Sequence, residues 1–352
     1  MEALLTLSPA DLQTIADRRG LCITVYTEAG PRAILDDAIH EASLLLRRDQ
    51  DDATHSAVLD RLREAASDVR APVAAGAVIF ATTTDVRTVA LQIDPAAMRA
   101  GAAVQVADRF LVAPLFADLD ARIPVSVLAL SQNSVRLVDA STGSPRVVAV
   151  PRMPTNLRAF DALDLTNDRQ TLAHLRTSEE PTLRERQFVR AVDAAVAEVI
   201  DPAALLVVAA AEPLAGLYAE LSHHKRLAQP GIAGNADEWT PDELASASRP
   251  AVERELGAVR RLQLTRLAEF PDRRLVTGDP STVLAAGGRG AIDTLFVDFG
   301  SADRAGYVED AARAAHADGA RIVWASATEL PGPGAVAAIL RYPVDAGEPG
   351  VG

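Results

Sequence analysis

Apolar and polar positions along this chain follow two spacings, and the switch between them marks the elements. Ser8-Pro9 predicts a helix start, with serine as cap and proline at the first helical position. The unbroken apolar run Leu21-Cys22-Ile23-Thr24-Val25-Tyr26, closed by Gly30-Pro31, predicts a buried strand. Ile34, Ala38, Ala42, Leu45 and Leu46 recur at helical spacing, as do Val58, Leu62, Ala65, Ala66 and Val69, so two amphipathic helices follow. Ala77-Val78-Ile79-Phe80 and Thr88-Val89-Ala90-Leu91 flank polar Thr83-Thr84-Asp85 as a hairpin would, and Val104–Phe110 is a further extended piece. Together these give an α+β layer.

The next stretch starts as a meander: Val125–Leu130, turn residues Ser131-Gln132-Asn133-Ser134, Val135–Val138 and Val147–Val150. Residues 151–182 then show no apolar period and read as a long loop, a length that in compact domains marks function or disorder. A helix over Leu183–Val199, a buried strand over Leu205–Ala210 and a helix over Pro213–Leu221 follow. Beyond Pro230-Gly231 and Gly234-Asn235, Thr240-Pro241-Asp242-Glu243 is a capped helix start, and Arg249–Phe270 a long charged helix. Helix Thr282–Ala286, strand Thr294–Val297, helix Val308–Asp318, strand Arg321–Ala325 and a last segment Ala335–Tyr342 alternate as in a small α/β sandwich. The reading is thus α/β and α+β in three domains, 1–118, 119–230 and 231–346, with a tail at 347–352.

Charge refines that division. The 352 residues carry 35 basic and 48 acidic groups, a net of −13. Residues 1–118 hold −6, residues 119–230 only −1, and residues 231–352 again −6. The total excludes a general nucleic-acid coat protein, which needs clustered cations, while the near-neutral middle leaves room for a local phosphate contact. The single cysteine, Cys22, excludes a disulfide framework and a Cys-based zinc ribbon, and it reads as core. No apolar run reaches the ~18–20 residues of a membrane span. The first residues lack a basic region followed by an apolar one, so a cytoplasmic location is expected.

Candidate chemistry concentrates in the middle block. Between residues 146 and 190 stand eight arginines against six acids. Among them Arg152, Arg158, Arg169, Arg176, Arg184 and Arg186 lie in or beside the long loop, with Arg190 on the helix after it. The planar fork of arginine binds two phosphate oxygens at once, against the plainer reading of a solvated loop with local ion pairs. His223-His224-Lys225-Arg226 holds the chain's one lysine; it reads either as a phosphate contact or as a helix end whose cations suit the dipole. Ala286-Gly287-Gly288-Arg289-Gly290 precedes a strand, so it reads as a helix stop rather than a phosphate cradle. Asp298-Phe299-Gly300 has none of the companions of a kinase site, and no nucleophile elbow or His-Glu-x-x-His is present. No catalytic residue, metal or cofactor is assigned.

The order of elements and several strings resemble one family. Thr282–Val297, with its helix, glycine turn and Leu295-Phe296-Val297, and Gly334–Tyr342, ending Leu340-Arg341-Tyr342, are similar to the third domain of the archaeo-eukaryotic class-1 release factors and their relative Pelota. Ile23–Tyr26, the two helices and Gly76–Phe80 are similar in arrangement to the first domain. The resemblance implies a decoding-side first domain and a central RNase H-like domain with a Gly-Gly-Gln loop. The third would be an α/β sandwich resembling kink-turn-binding ribosomal proteins that meets a translational GTPase such as elongation factor Tu. This chain departs from the pattern: residues 151–182 hold Gln170 but no glycine, nothing near Asp49–Ser56 matches Asn-Ile-Lys-Ser, and of the Tyr-x-Cys-x-x-x-Phe motif Val104–Phe110 keeps only the phenylalanine.

The expectation is therefore a non-catalytic ribosome-associated factor of rescue or hibernation, nearer to Pelota than to a peptidyl-tRNA hydrolase. It would touch ribosomal RNA through Arg152, Arg158, Arg169, Gln170, Arg176, Arg184, Arg186, Lys225 and Arg226, with no role at DNA or membranes. Two alternatives stay open. One is a magnesium-dependent RNase H-like nuclease built on Asp139, Asp161 and Asp164, since such sites need grouped carboxylates. The other is an acidic protein-interaction scaffold.

Overall fold

The computed structural model describes residues 9–28, 32–46, 52–68, 75–97, 104–141, 144–160, 180–300, 306–332 and 334–344. They form a mixed α/β structure with three sheets, in two compact units: residues 123–255 make one, and the two ends of the chain, 1–122 and 256–352, together make the other.

In the two-ended unit, helix α1 (Pro9–Asp17) leads into β1 (Cys22–Glu28), followed by α2 (Arg32–Leu46) and α3 (Asp52–Asp68). Strands β2 (Gly76–Ala81) and β3 (Val86–Leu91) are the expected hairpin, and β4 (Val104–Ala107) completes an antiparallel sheet in the order β3-β2-β1-β4. The period of two along β1 sorts its side chains. Ile23 and Val25 pack with Ile79 beneath Ala38, Ile39, Ala42 and Leu46 of α2 and Val58, Leu59, Leu62 and Ala65 of α3. Thr24 and Tyr26 work on the other face: Thr24 Oγ1 accepts the Leu111 N–H at 3.0 Å, and the Tyr26 hydroxyl donates to the Leu111 carbonyl at 3.0 Å and accepts the Leu115 N–H at 3.2 Å. Cys22 is buried, which pushes its thiol pKa up, in keeping with a core role.

These bonds seat α4 (Ala113–Ala121), a helix that periodicity does not reveal because Ala113 through Asp118 are all buried. Its cap position is Val112, which has no side-chain acceptor for the free N–H groups of the first turn. The acceptor comes from the far end of the chain. Glu309 Oε1 accepts the Val112 N–H at 3.0 Å and Oε2 the Ala113 N–H at 3.1 Å. Burial pushes the Glu309 carboxyl up from its ordinary value, while Arg313, at 2.9 Å, and the two N–H groups pull it down. Arg313 also donates to the carbonyls of Ala16 and of Phe110, the latter at 2.5 Å. Around this point Arg109 pairs with Asp310 at 2.6 Å, Asp120 accepts the Ile322 N–H at 2.7 Å, and His316 stacks on Phe116 with ring centroids 4.0 Å apart.

Glu309 and His316 belong to the C-terminal part of this unit. The second sheet has the order β10-β13-β11-β12, formed by β10 (Val276–Thr277), β11 (Ile292–Val297), β12 (Arg321–Trp324) and β13 (Val336–Leu340). Strands β11 and β12 are parallel, and β13, wholly buried, runs antiparallel to β11. The helix Pro280–Gly287 starts on Asp279, whose carboxylate accepts from Ser281 and Thr282 and is held at about 2 by those bonds. It ends where the sequence places a glycine stop, with Gly290 at φ +64°. The helix Tyr307–Ala317 carries Glu309, Arg313 and His316 at positions i, i+4 and i+7, one face of the helix.

The other unit is a five-stranded sheet ordered β7-β6-β5-β8-β9, from β5 (Val125–Leu130), β6 (Val135–Asp139), β7 (Arg146–Val148), β8 (Leu205–Ala210) and β9 (Ile232–Ala233). The meander is antiparallel, and β5, β8 and β9 run parallel. Helices Glu180–Ala197 and Leu214–Leu221 cover it, with Phe188, Val189, Val192 and Val196 of the first packed with Leu214, Leu217 and Tyr218 of the second. The helix expected from Leu183 begins at Glu180. The two helical pieces expected at Thr240 and at Arg249–Phe270 are one helix, Pro241–Ala268, entered through a capping box in which Thr240 and Glu243 exchange bonds. Pro250 does not break it: Leu244 and Ala245 before the proline, and Ala251, Val252 and Leu256 after it, are buried and hold both halves in place.

Two outcomes test the two-ended unit. In a Trp239→Phe background Trp324 is the remaining tryptophan, since the chain has two. Glu309→Ala strands two buried N–H groups and the Arg313 charge, and should lower the stability read by Trp324 in urea by about 3 kcal/mol. Burial lowers the pKa of His316 below the ordinary histidine value of about 6.5, so the unfolded chain takes up this proton more readily than the folded one. Stability should therefore fall as pH drops through about 6.5, and His316→Gln should flatten that part of the profile.

Candidate nucleic-acid interface

The arginine-bearing segment leaves the sheet at β7 and returns along it. Pro151 and Arg152 make a turn, and Arg152, at φ +61°, is the one non-glycine residue with positive φ among those described. Residues 153–160 lie against the entrance to β6: the Val135 N–H donates to the Thr155 carbonyl at 2.8 Å and the Leu157 N–H to the Gln132 carbonyl at 2.9 Å. Asn156 caps a short turn by accepting the Ala159 N–H at 2.7 Å, and Phe160 meets Phe188 edge-on with centroids 6.0 Å apart. The turn bearing Arg158 is thus held against the helix Glu180–Ala197, and Gln132 reaches that helix at Glu185 over 2.8 Å.

That helix presents Arg184, Gln187 and Arg190 as exposed side chains on one stripe. Arg186 faces the neighbouring helix, where its guanidinium makes a two-pronged pair with Glu220 at 2.7 and 3.0 Å and holds the Glu220 carboxyl below its ordinary value. At the far end of the helix Arg152 donates to both oxygens of Glu198 at 2.8 and 2.9 Å. The helix thus carries Arg184, Arg186 and Arg190, Arg158 stands on the turn that Phe160 holds against it, and Arg152 pairs with Glu198 just past its end. Arg169, Gln170 and Arg176 lie outside the described residues, as does most of the loop expected at 151–182.

The tetrapeptide His223–Arg226 follows Ser222 and is tied to the same helix through Asp193. Asp193, buried on the inner side of the helix, accepts from the Ser222 hydroxyl at 2.8 Å and from the His223 backbone N–H at 3.2 Å, and lies 3.1 Å from His223 Nδ1. His224 Nε2 stands 2.7 Å from the Ala204 carbonyl. Lys225 is exposed, whereas Arg226 is half-buried, donating to the Ala203 carbonyl at 2.7 Å and to Glu255 at 2.6 Å. The role of Asp193 was not visible in sequence, where its two partners lie about 30 positions away and no local motif links them. Of the acids considered for a metal site, Asp139 pairs with Arg146 at 3.2 Å and accepts the Ser141 N–H at 3.0 Å, and Asp161 and Asp164 lie outside the described residues. Among the described residues no group of three or more His, Cys, Asp or Glu side chains is placed to hold a metal ion, and no helix is long and apolar enough to cross a membrane.

Comparison with known proteins bears on this same unit. Several solved structures are similar to the chain at low identity. The crystal structure of the archaeal translation termination factor aRF1 is 14% identical, with 97% of this chain and 100% of that one covered and a TM-score of 0.26. Pelota of Archaeoglobus fulgidus is 14% identical over 76% of this chain and 79% of that one, at a TM-score of 0.37. Dom34 of S. cerevisiae, a translation termination-like factor, is 12% identical over 81% and 79%, at 0.34. No curated protein matches the chain. The family model described as bacterial archaeo-eukaryotic release factor family 11 matches residues 124–256, almost the same span as the compact unit at 123–255. The middle unit of this chain therefore matches bacterial archaeo-eukaryotic release factor family 11, the kind of resemblance carried by its sequence.

Proposed function

We propose that this protein is a non-catalytic translation factor of the release-factor and Pelota type, which binds the ribosome in rescue or hibernation. The observation that carries the reading is the release-factor family match at residues 124–256, together with what stands where Gly-Gly-Gln would be. Residues 151–182 contain no glycine and several arginines. Paired glycines open backbone conformations that other residues reach only at a cost, so this loop lacks the means to set a glutamine at a reacting ester. Its arginines suit a different task, the gripping of phosphate oxygens.

In this proposal Arg152, Arg158, Arg169, Gln170, Arg176, Arg184, Arg186 and Lys225 meet ribosomal RNA, and Arg226, tied to Ala203 and Glu255, positions the segment that carries Lys225. The pairs Arg152–Glu198 and Arg186–Glu220 are largely open to solvent, where such pairs contribute little, so exchanging a carboxylate for a phosphate costs little. The acidic flanks of the chain are left to protein partners, among them a translational GTPase such as elongation factor Tu, in the cytoplasm.

Gradient sedimentation of stationary-phase or stressed extract tests the reading. The protein should migrate with ribosomes, and a protein that stays at the top of the gradient under every condition overturns the assignment. Replacing Arg158, Arg169 and Arg176 together by alanine should weaken binding to purified ribosomes and lower the slope of log affinity against log salt by about 2–3.

A further inference from the structure

The unit at residues 123–255 carries a groove with the opposite character to the arginine segment. It has a volume of about 370 Å³, within the range of sites that bury a side chain or small ligand. Val208 and Ile232 are apolar members of its lining, and Ala215, Gly216 and Ala219 of the helix Leu214–Leu221 contribute no side chain longer than a methyl group. Glu212 is the one charged residue that lines it. Its exposed carboxylate accepts the Gly216 N–H at 3.2 Å, and among the described residues no basic side chain lines the groove. The guanidinium of Arg254 stands at the rim, where it donates to the Pro230 carbonyl at 3.0 Å.

The same groove borders the end of the sheet. Strand β9, of two residues, pairs with β8 on one side, and among the described residues no strand pairs with it on the other. Gly231 makes the approach possible, because a Cβ at that position would lie 2.4 Å from the Val208 carbonyl oxygen. An open edge beside an apolar groove is the arrangement that receives an extended peptide: main-chain groups pair with the edge, and an alternate side chain enters the pocket. The carboxylate of Glu212, the one charged side chain among the described lining residues, selects a basic peptide over an acidic one.

We propose that the groove and the β9 edge are a docking site for an extended, basic segment of a partner protein. An aliphatic side chain of that segment fills the groove, and an adjacent arginine or lysine reaches Glu212. The site is independent of the RNA contact proposed above, since it lies on other residues and takes ligands of opposite charge.

Fluorescence anisotropy on the full-length protein tests it, with a labelled peptide in which two arginines flank a valine-leucine-valine core. The control peptide has glutamates in place of the arginines. The arginine peptide should bind saturably below about 1 mM and at least about tenfold more tightly than the glutamate peptide. Ala219 is exposed on its helix and leucine is a strong helix former, so Ala219→Leu fills the groove with the melting curve unchanged and should weaken binding about tenfold. Glu212→Gln keeps the side-chain shape, should weaken binding about threefold to fivefold, and should reduce its salt dependence. Absence of saturation, equal binding of the two peptides, or insensitivity to both substitutions would each overturn the proposal.

Discussion

The carboxylate of Glu309 sets the constraint on which the two-ended unit depends. Helix Ala113–Ala121 begins in a buried place with valine at its cap position, so its first N–H groups have no local acceptor. Leaving such groups unpaired costs about 1–3 kcal/mol each, and water does not reach them to compensate. A side chain nearly two hundred positions along the chain supplies both acceptors, and Arg313 beside it is spent on Glu309 and on two carbonyls. The consequence is specificity as much as stability. The two segments have one docking register, because a slip of either would strand a carboxylate, a guanidinium and two N–H groups in an apolar setting.

The other unit handles charge in the reverse way. Its arginines sit at the surface in pairs with Glu198 and Glu220, and these are held by contacts that water and salt weaken. Rigid elements fix where the charges stand: Phe160 against Phe188, Asn156 at its turn, and Gln132 on Glu185. Such a surface is ordered in position and loosely committed in partner. The groove at Glu212, with its small residues and single carboxylate, belongs to the same unit.

Much of the fold was legible in the sequence because local spacing carries it. The hairpin Gly76–Leu91, the strand Leu205–Ala210 and the alternation after Thr282 follow from periods of two and of 3.6 with turn residues between them. What escaped notice lacks a local signature. The helix Ala113–Ala121 is buried across residues 113–118 and shows no polar face, and its cap lies in another part of the chain. The helix start read at Thr240 and the helix read from Arg249 are one element, Pro241–Ala268, with buried residues on either side of Pro250. The arginines of the candidate interface stood out by composition, but their partners Glu198, Glu220 and Glu255 are found only through the fold, as is the role of Asp193 beneath His223.

The assembly of one unit from both ends of the chain sets an order in time. As the polypeptide emerges during synthesis, residues 1–122 appear first, yet the acceptor for the helix at Ala113 follows only after residue 309 has been made. The middle unit, contiguous from 123 to 255, has all its strands in hand well before that. Domains that are contiguous fold as they emerge, so the second unit to be synthesised is the first able to finish, and the N-terminal sheet waits for its partner. Until residue 309 has been made, the first turn of the helix at Ala113 is without the carboxylate that accepts its N–H groups.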